Sequence, residues 1–169
     1  MSKKARKTST IILICIALLF PGSLCFSQIT IPEVYLGFKP GADFHLATYE
    51  QLIGYLEQVA SETNRIQLFD MGPTSMGRRM KYAVISSEEN MANLKKYQDI
   101  SRKLSLARNL SDPEAKSLAK EGKAIVWIDT GLHSSETSPP MHQFQLIYDL
   151  LTGDEDPIRF ILEIGRAHV

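Results

Sequence analysis

Ala124-Ile125-Val126-Trp127-Ile128-Asp129-Thr130-Gly131-Leu132-His133-Ser134-Ser135-Glu136 is the stretch on which the reading turns. Val126, Trp127 and Ile128 favour extended structure, so the run opens as a strand, predicted over Ala124 to Asp129 and expected to be the most buried of the chain. Gly131 lets the backbone turn sharply. His133 and Glu136 come next, three residues apart. On a strand, such positions face opposite sides of the sheet, whereas on a turn they can converge on one point. An imidazole nitrogen and a carboxylate meeting just past a strand make up half of a catalytic zinc site. Such sites use three protein ligands and leave a fourth position for water.

The flanking segments alternate. Thr48 to Thr63 is predicted as a helix with Leu52, Leu56, Val59 and Ala60 along one face. Arg65 to Met71 and Lys81 to Ser86 read as strands separated by a turn at Gly72-Pro73. Glu88 to Leu106 reads as one polar surface helix. Ser111-Asp112-Pro113-Glu114 reads as a capping box opening a helix that Gly122 ends. Pro139 and Pro140 start a further helix, with Met141, Phe144, Ile147, Tyr148 and Leu151 on its apolar face and Gly153 at its end. Asp156-Pro157 opens another short helix. Helices alternating with strands predict an α/β fold on a mixed sheet, with its site past the carboxyl end of a strand.

The strand, the Asp129-x-Gly131-x-His133 turn and Glu136 together resemble the first metal-ligand segment of the zinc carboxypeptidases, the carboxypeptidase A-like metallopeptidases. Ser75-Met76-Gly77-Arg78-Arg79-Met80 and the strand after it are similar to that family's Gly-Arg turn. Asn93–Arg108 with Ser111–Gly122 resembles an insertion of a secreted bacterial branch. The similarity spans roughly Ile31 to Leu162. It implies a truncated mixed-sheet zinc carboxypeptidase (phosphorylase/hydrolase-like) fold with helices on both faces of the sheet, Zn2+ as cofactor, and a peptide or protein substrate. His133 and Glu136 would be metal ligands. The family's third ligand (a second histidine), its general base and its carboxylate-binding arginine lie downstream of this pair, and none is assigned to a residue here. Pancreatic members carry an arginine directly before the zinc glutamate, where it contacts substrate backbone. This chain has Ser135 there, so that contact is not carried over. Two alternative readings stand beside it: a zinc amidase or deacylase acting on cell-wall peptides or acyl amino acids, which can share the same ligand loop, and a non-catalytic secreted binding module descended from such an enzyme.

Other candidates have plainer readings. Asp129 is a strand-end residue that can orient the loop through hydrogen bonds. Glu136 can also stabilise the helix N-terminus ahead of Pro139, which is compatible with ligation. His142 reads as a surface residue and His45 as structural. Ser134 and Ser135 lack the Gly-x-Ser-x-Gly elbow of a serine hydrolase. Arg78 and Arg79 read as a solvated turn, and Asn109-Leu110-Ser111 is formally a glycosylation sequon.

The two ends read as lying outside the domain. Lys3, Lys4, Arg6 and Lys7 precede an apolar core from Ile11 to Phe20, too short to span a bilayer as a helix. Residues 1–27 are therefore predicted to be a signal peptide cut after Ser27. That places the mature chain outside the cytoplasm, secreted or periplasmic, without stable membrane association. Both cysteines, Cys15 and Cys25, fall in this segment. The domain at 28–163 must then be held by its core and not by disulfides. Residues 28–169 carry a net charge of −4, because four of the 19 basic residues and none of the 19 acidic ones lie in the signal. No basic surplus points to nucleic acid. Residues 164–169, with Glu163 before them, match one reading frame of a common sequencing adapter. They are expected to be read-through, which removes His168 as a ligand.

Overall fold

A computed structural model describes residues 28–133 and 135–168, with backbone alone for 164–168. The expected signal peptide lies outside the described residues. The elements in chain order are α1 (Pro32–Leu36), α2 (Tyr49–Glu62), β1 (Ile66–Pro73), β2 (Arg79–Ile85), α3 (Glu88–Ala92), α4 (Leu94–Leu106), α5 (Asp112–Glu121), β3 (Ala124–Trp127), α6 (Ser138–Thr152), α7 (Asp156–Ile164) and β4 (Gly165–His168).

The strands form one sheet in the order β1-β2-β4-β3. β2 runs antiparallel to both β1 and β4, while β3 and β4 are parallel. The sheet is therefore mixed, as the alternating pattern predicts. Side-chain alternation sorts its faces. Ile66, Leu68, Ala83 and Ile85 face the core, where they meet Tyr55, Leu56 and Val59 of α2, Phe144, Ile147, Leu150 and Leu151 of α6, and Leu162 of α7. Phe69, Tyr82 and Trp127 make an aromatic row on the opposite face, with ring centroids 5.1 Å and 6.2 Å apart. Val84 on that face is also fully buried.

Three local expectations are corrected. β3 is not the most buried strand. Ile125, Val126 and Trp127 are all exposed, because β3 stands at the end of the sheet order with, among the described residues, a neighbour strand on one side only. The helix predicted over 88–106 breaks at Asn93, whose φ of −105° and ψ of 16° leave the helical region. The box expected at Ser111 does not form, since the Ser111 side chain makes no cap bond. The reciprocal box sits at α2 instead. There Thr48 Oγ1 accepts from the Gln51 amide at 3.2 Å, and Gln51 Oε1 accepts from the Thr48 amide at 2.9 Å.

Candidate metal centre

β3 delivers the chain to a loop that residues 128–137 form before α6. The turn depends on Gly131, which sits at φ +73°. A Cβ at that position would stand 2.9 Å from Pro140 Cγ, in the first turn of α6. A side chain is therefore excluded twice, by the left-handed backbone and by the proline packed against it. Past this turn the Glu136 amide donates to the His133 carbonyl at 3.0 Å, closing a tight turn around residues 133–136.

That turn brings the two predicted ligands together. His133 Nδ1 lies 2.6 Å from Glu136 Oε1, and the His133 amide donates to Glu136 Oε2 at 3.3 Å. The contact with the His133 ring, reinforced by its backbone amide, holds the Glu136 carboxyl below its usual 4.5. The Glu136 carboxylate turns back to the histidine just ahead of the first turn of α6. Asp129 takes no part in the contact. His142 is exposed on α6, and the His45 ring lies against Phe38 at 5.0 Å with Nδ1 2.8 Å from the Asp43 carbonyl oxygen, well apart from the pair in sequence and partners. Ser134 lies outside the described residues, and so do the side chains of residues 164–169.

The donor types suit a divalent cation, and the spacing shows what binding would require. Two ligands about 2.0–2.1 Å from a tetrahedral zinc stand roughly 3.3 Å apart. The imidazole and carboxylate must therefore separate slightly, exchanging their direct hydrogen bond for a shared ion. Both can move, since the side chains are 77% and 38% exposed. The count, however, is two. Among the described residues no group of three or more His, Cys, Asp or Glu could hold a metal ion.

Glu136 also lines a groove of about 830 Å³. Its wall is largely apolar, with Leu46, Tyr49, Met80, Tyr82, Trp127 and Pro140 among its residues and Arg78 and Arg79 at one side. Met80, Lys81 and Tyr82 of its wall belong to the part of β2 that, among the described residues, β4 does not pair, since β4 pairs with Val84 and Ile85. Arg79 is tied to Asp70 at 2.6 Å, and its carbonyl accepts from the Tyr49 hydroxyl at 2.8 Å. Sequence reading missed Tyr49, Met80 and Tyr82 as wall residues. They belong to α2 and β2, and only tertiary packing puts them beside the loop. The one available signal was the Gly77-Arg78-Arg79 turn.

A family model described as zinc carboxypeptidase matches residues 52–166. No curated protein and no solved structure matches. Among the described residues no helix is long and apolar enough to cross a membrane.

Proposed function

The chain belongs to the zinc carboxypeptidase family, and from that premise we propose that it acts in removing C-terminal residues from peptides outside the cytoplasm, after a signal segment is cut at Ser27. His133 and Glu136 serve as two zinc ligands. Among the described residues no third donor joins them. The observation that carries this reading is the 2.6 Å approach of His133 Nδ1 to Glu136 Oε1 just beyond β3.

Zinc bound there supplies a Lewis acid and a water whose pKa is lowered toward ~7. The chain's own residues do the holding and the shaping. Gly131 sets the turn, the His133 amide orients the Glu136 carboxylate, and the apolar wall next to Glu136 keeps bulk water from one side of the site. Two donors among the described residues, against the three of a catalytic zinc site, predict weak zinc binding by the 169-residue chain.

The test uses the complete gene product, recovered from the exported fraction. It should hydrolyse a peptide with a free C-terminal carboxylate, lose that activity to a chelator and regain it with zinc. His133→Ala and Glu136→Gln should each lose retained zinc by elemental analysis. Equal cleavage of a C-terminally amidated peptide would replace the carboxypeptidase reading with an amidase. Full zinc retention in the double variant would place the ligands elsewhere.

A further inference from the structure

We propose that Gln28 becomes the amino terminus of the exported chain and cyclises to pyroglutamate, giving the fold a blocked, uncharged end. The proposal rests on the reading that cleavage falls after Ser27. It adds to that reading a covalent modification at a named residue.

The structure separates Gln28 sharply from the two residues after it. Ile29 is only 9% exposed and belongs to the core cluster with Tyr55, Leu56 and Val59. Thr30 is held on three sides. Its amide and hydroxyl donate to the two oxygens of Glu62 at 2.7 Å and 2.5 Å, and its carbonyl accepts from the Tyr55 hydroxyl at 3.0 Å. Anchoring of the chain to α2 therefore begins at Ile29. Gln28 is exposed, and among the described residues it makes none of the chain's hydrogen bonds or ion pairs.

Among the described residues, a free α-amine at residue 28 would find its nearest neighbours in the chain, Ile29 and Thr30, already committed to α2. Glu62, the acid that holds Thr30, already accepts from Thr30 on both oxygens and from Gln58 Nε2 at 2.7 Å. Among the described residues no hydrogen bond or ion pair then holds Gln28 away from its own side chain. The reaction needs no co-reactant. The amine nitrogen attacks Cδ of Gln28 and forms the lactam C–N bond. The Cδ–Nε2 bond breaks, and the side-chain nitrogen leaves as ammonia with a proton from the amine. The product loses the ammonium charge that an N-terminal amine, with a pKa of about 7.7–8.0, would carry near neutral pH. It also lacks the free amine that aminopeptidases require, while the anchor at Ile29 and Thr30 is untouched.

The test is expression of the full chain, residues 1–27 included, in a secreting bacterial host. Intact mass, terminal-peptide mass spectrometry and Edman sequencing are then run on the exported protein. The expected product starts at residue 28, is lighter than the Gln28 form by one ammonia, and is silent to Edman sequencing until treated with pyroglutamyl aminopeptidase. A chain starting at Gln28 with a free amine leaves the cleavage reading standing and overturns the cyclisation. A chain that starts elsewhere, or stays uncut, overturns the cleavage reading and the proposal with it. Gln28→Ala should start at a sequenceable alanine and melt at the same temperature as the parent, because the anchor begins one residue later. A blocked terminus in that variant would overturn the assignment to Gln28.

Discussion

A single glycine decides whether His133 meets Glu136. Gly131→Ala must place an L side chain at φ +73° and push its Cβ to 2.9 Å from Pro140 Cγ. The left-handed backbone alone costs roughly 1–2 kcal/mol for a residue with a Cβ. We expect Gly131→Ala to lower the unfolding free energy measured in urea by an amount in that range and to move the His133 ring resonances as the turn from His133 to Glu136 shifts. Adding Pro140→Ala should recover the part due to the clash and leave the backbone part. A single variant that unfolds at the parent's midpoint would show that the loop is not set by this residue. Glu62 offers a test by pH. Partial burial pushes its carboxyl up, but the hydrogen bonds from Thr30 and Gln58 outweigh this and hold it below 4.5 in the fold. A carboxyl depressed in the folded state adds stability above its unfolded pKa and loses it as pH falls through the folded one. The Thr30 anchor should therefore be intact at neutral pH and released only in acid below 4.5, as monitored by hydrogen exchange of the Thr30 amide. Glu62→Gln should exchange faster at neutral pH and lose the acid dependence. An unchanged acid profile in that variant would remove Glu62 from the anchor.

Among the elements, α7 ends on a buried polar clamp. Asn90 Nδ2 donates to the carbonyls of Leu162 at 2.9 Å and Glu163 at 3.0 Å and to Ser86 Oγ at 3.0 Å. Ser86 Oγ and the Ser87 amide donate to the Leu162 carbonyl at 2.7 Å and 3.1 Å, and Lys123 Nζ reaches the Glu163 carbonyl at 2.9 Å. These donors satisfy helix-end carbonyls that have no partner within α7, at the point where the backbone turns into β4. Asn90→Ala should cost about 0.5–1.5 kcal/mol, because Ser86, Ser87 and Lys123 still reach the two carbonyls, with exchange protection lost first in α7 and β4. Uniform loss of protection across the molecule would show that the clamp is not local. The clamp was not legible in the sequence, because Asn90 and Leu162 meet only after the sheet forms. What could be read was periodic. The stripe Leu52, Leu56 and Val59 set α2 within a residue at each end, and Met141, Phe144, Ile147 and Leu151 set α6. Caps were less legible. Thr48-x-x-Gln51 and Ser111-x-x-Glu114 carry the same signal, and only the first closes, since reciprocal bonds depend on side-chain geometry and not on spacing alone. The meeting of His133 with Glu136 was legible because a short turn needs only local chemistry, whereas the groove wall draws on α2, β1, β2 and α6.

For the molecule as a whole, one consequence of β3's place was hidden from the sequence. Ile125, Val126 and Trp127 read as a buried strand, and the composition is indeed that of an interior one. Yet they are 42%, 51% and 50% exposed, and Phe160 and Ile161 of α7 are 62% and 42% exposed. A strand of this composition at the end of the sheet order, among the described residues, presents an edge lined with apolar side chains, which is a template for pairing with another chain. β3 is built from Ala124, Ile125, Val126 and Trp127 alone, so no charge on the strand guards it. We therefore expect the isolated 169-residue chain to self-associate with rising concentration in light scattering and to bind ANS at neutral pH. Val126→Lys places a charge on the strand and should shift the association to higher concentration without changing the His133–Glu136 contact. A monomer at all concentrations, with no dye binding and a sharp cooperative melt, would mean that β3 is covered in solution and that its exposure has no energetic consequence.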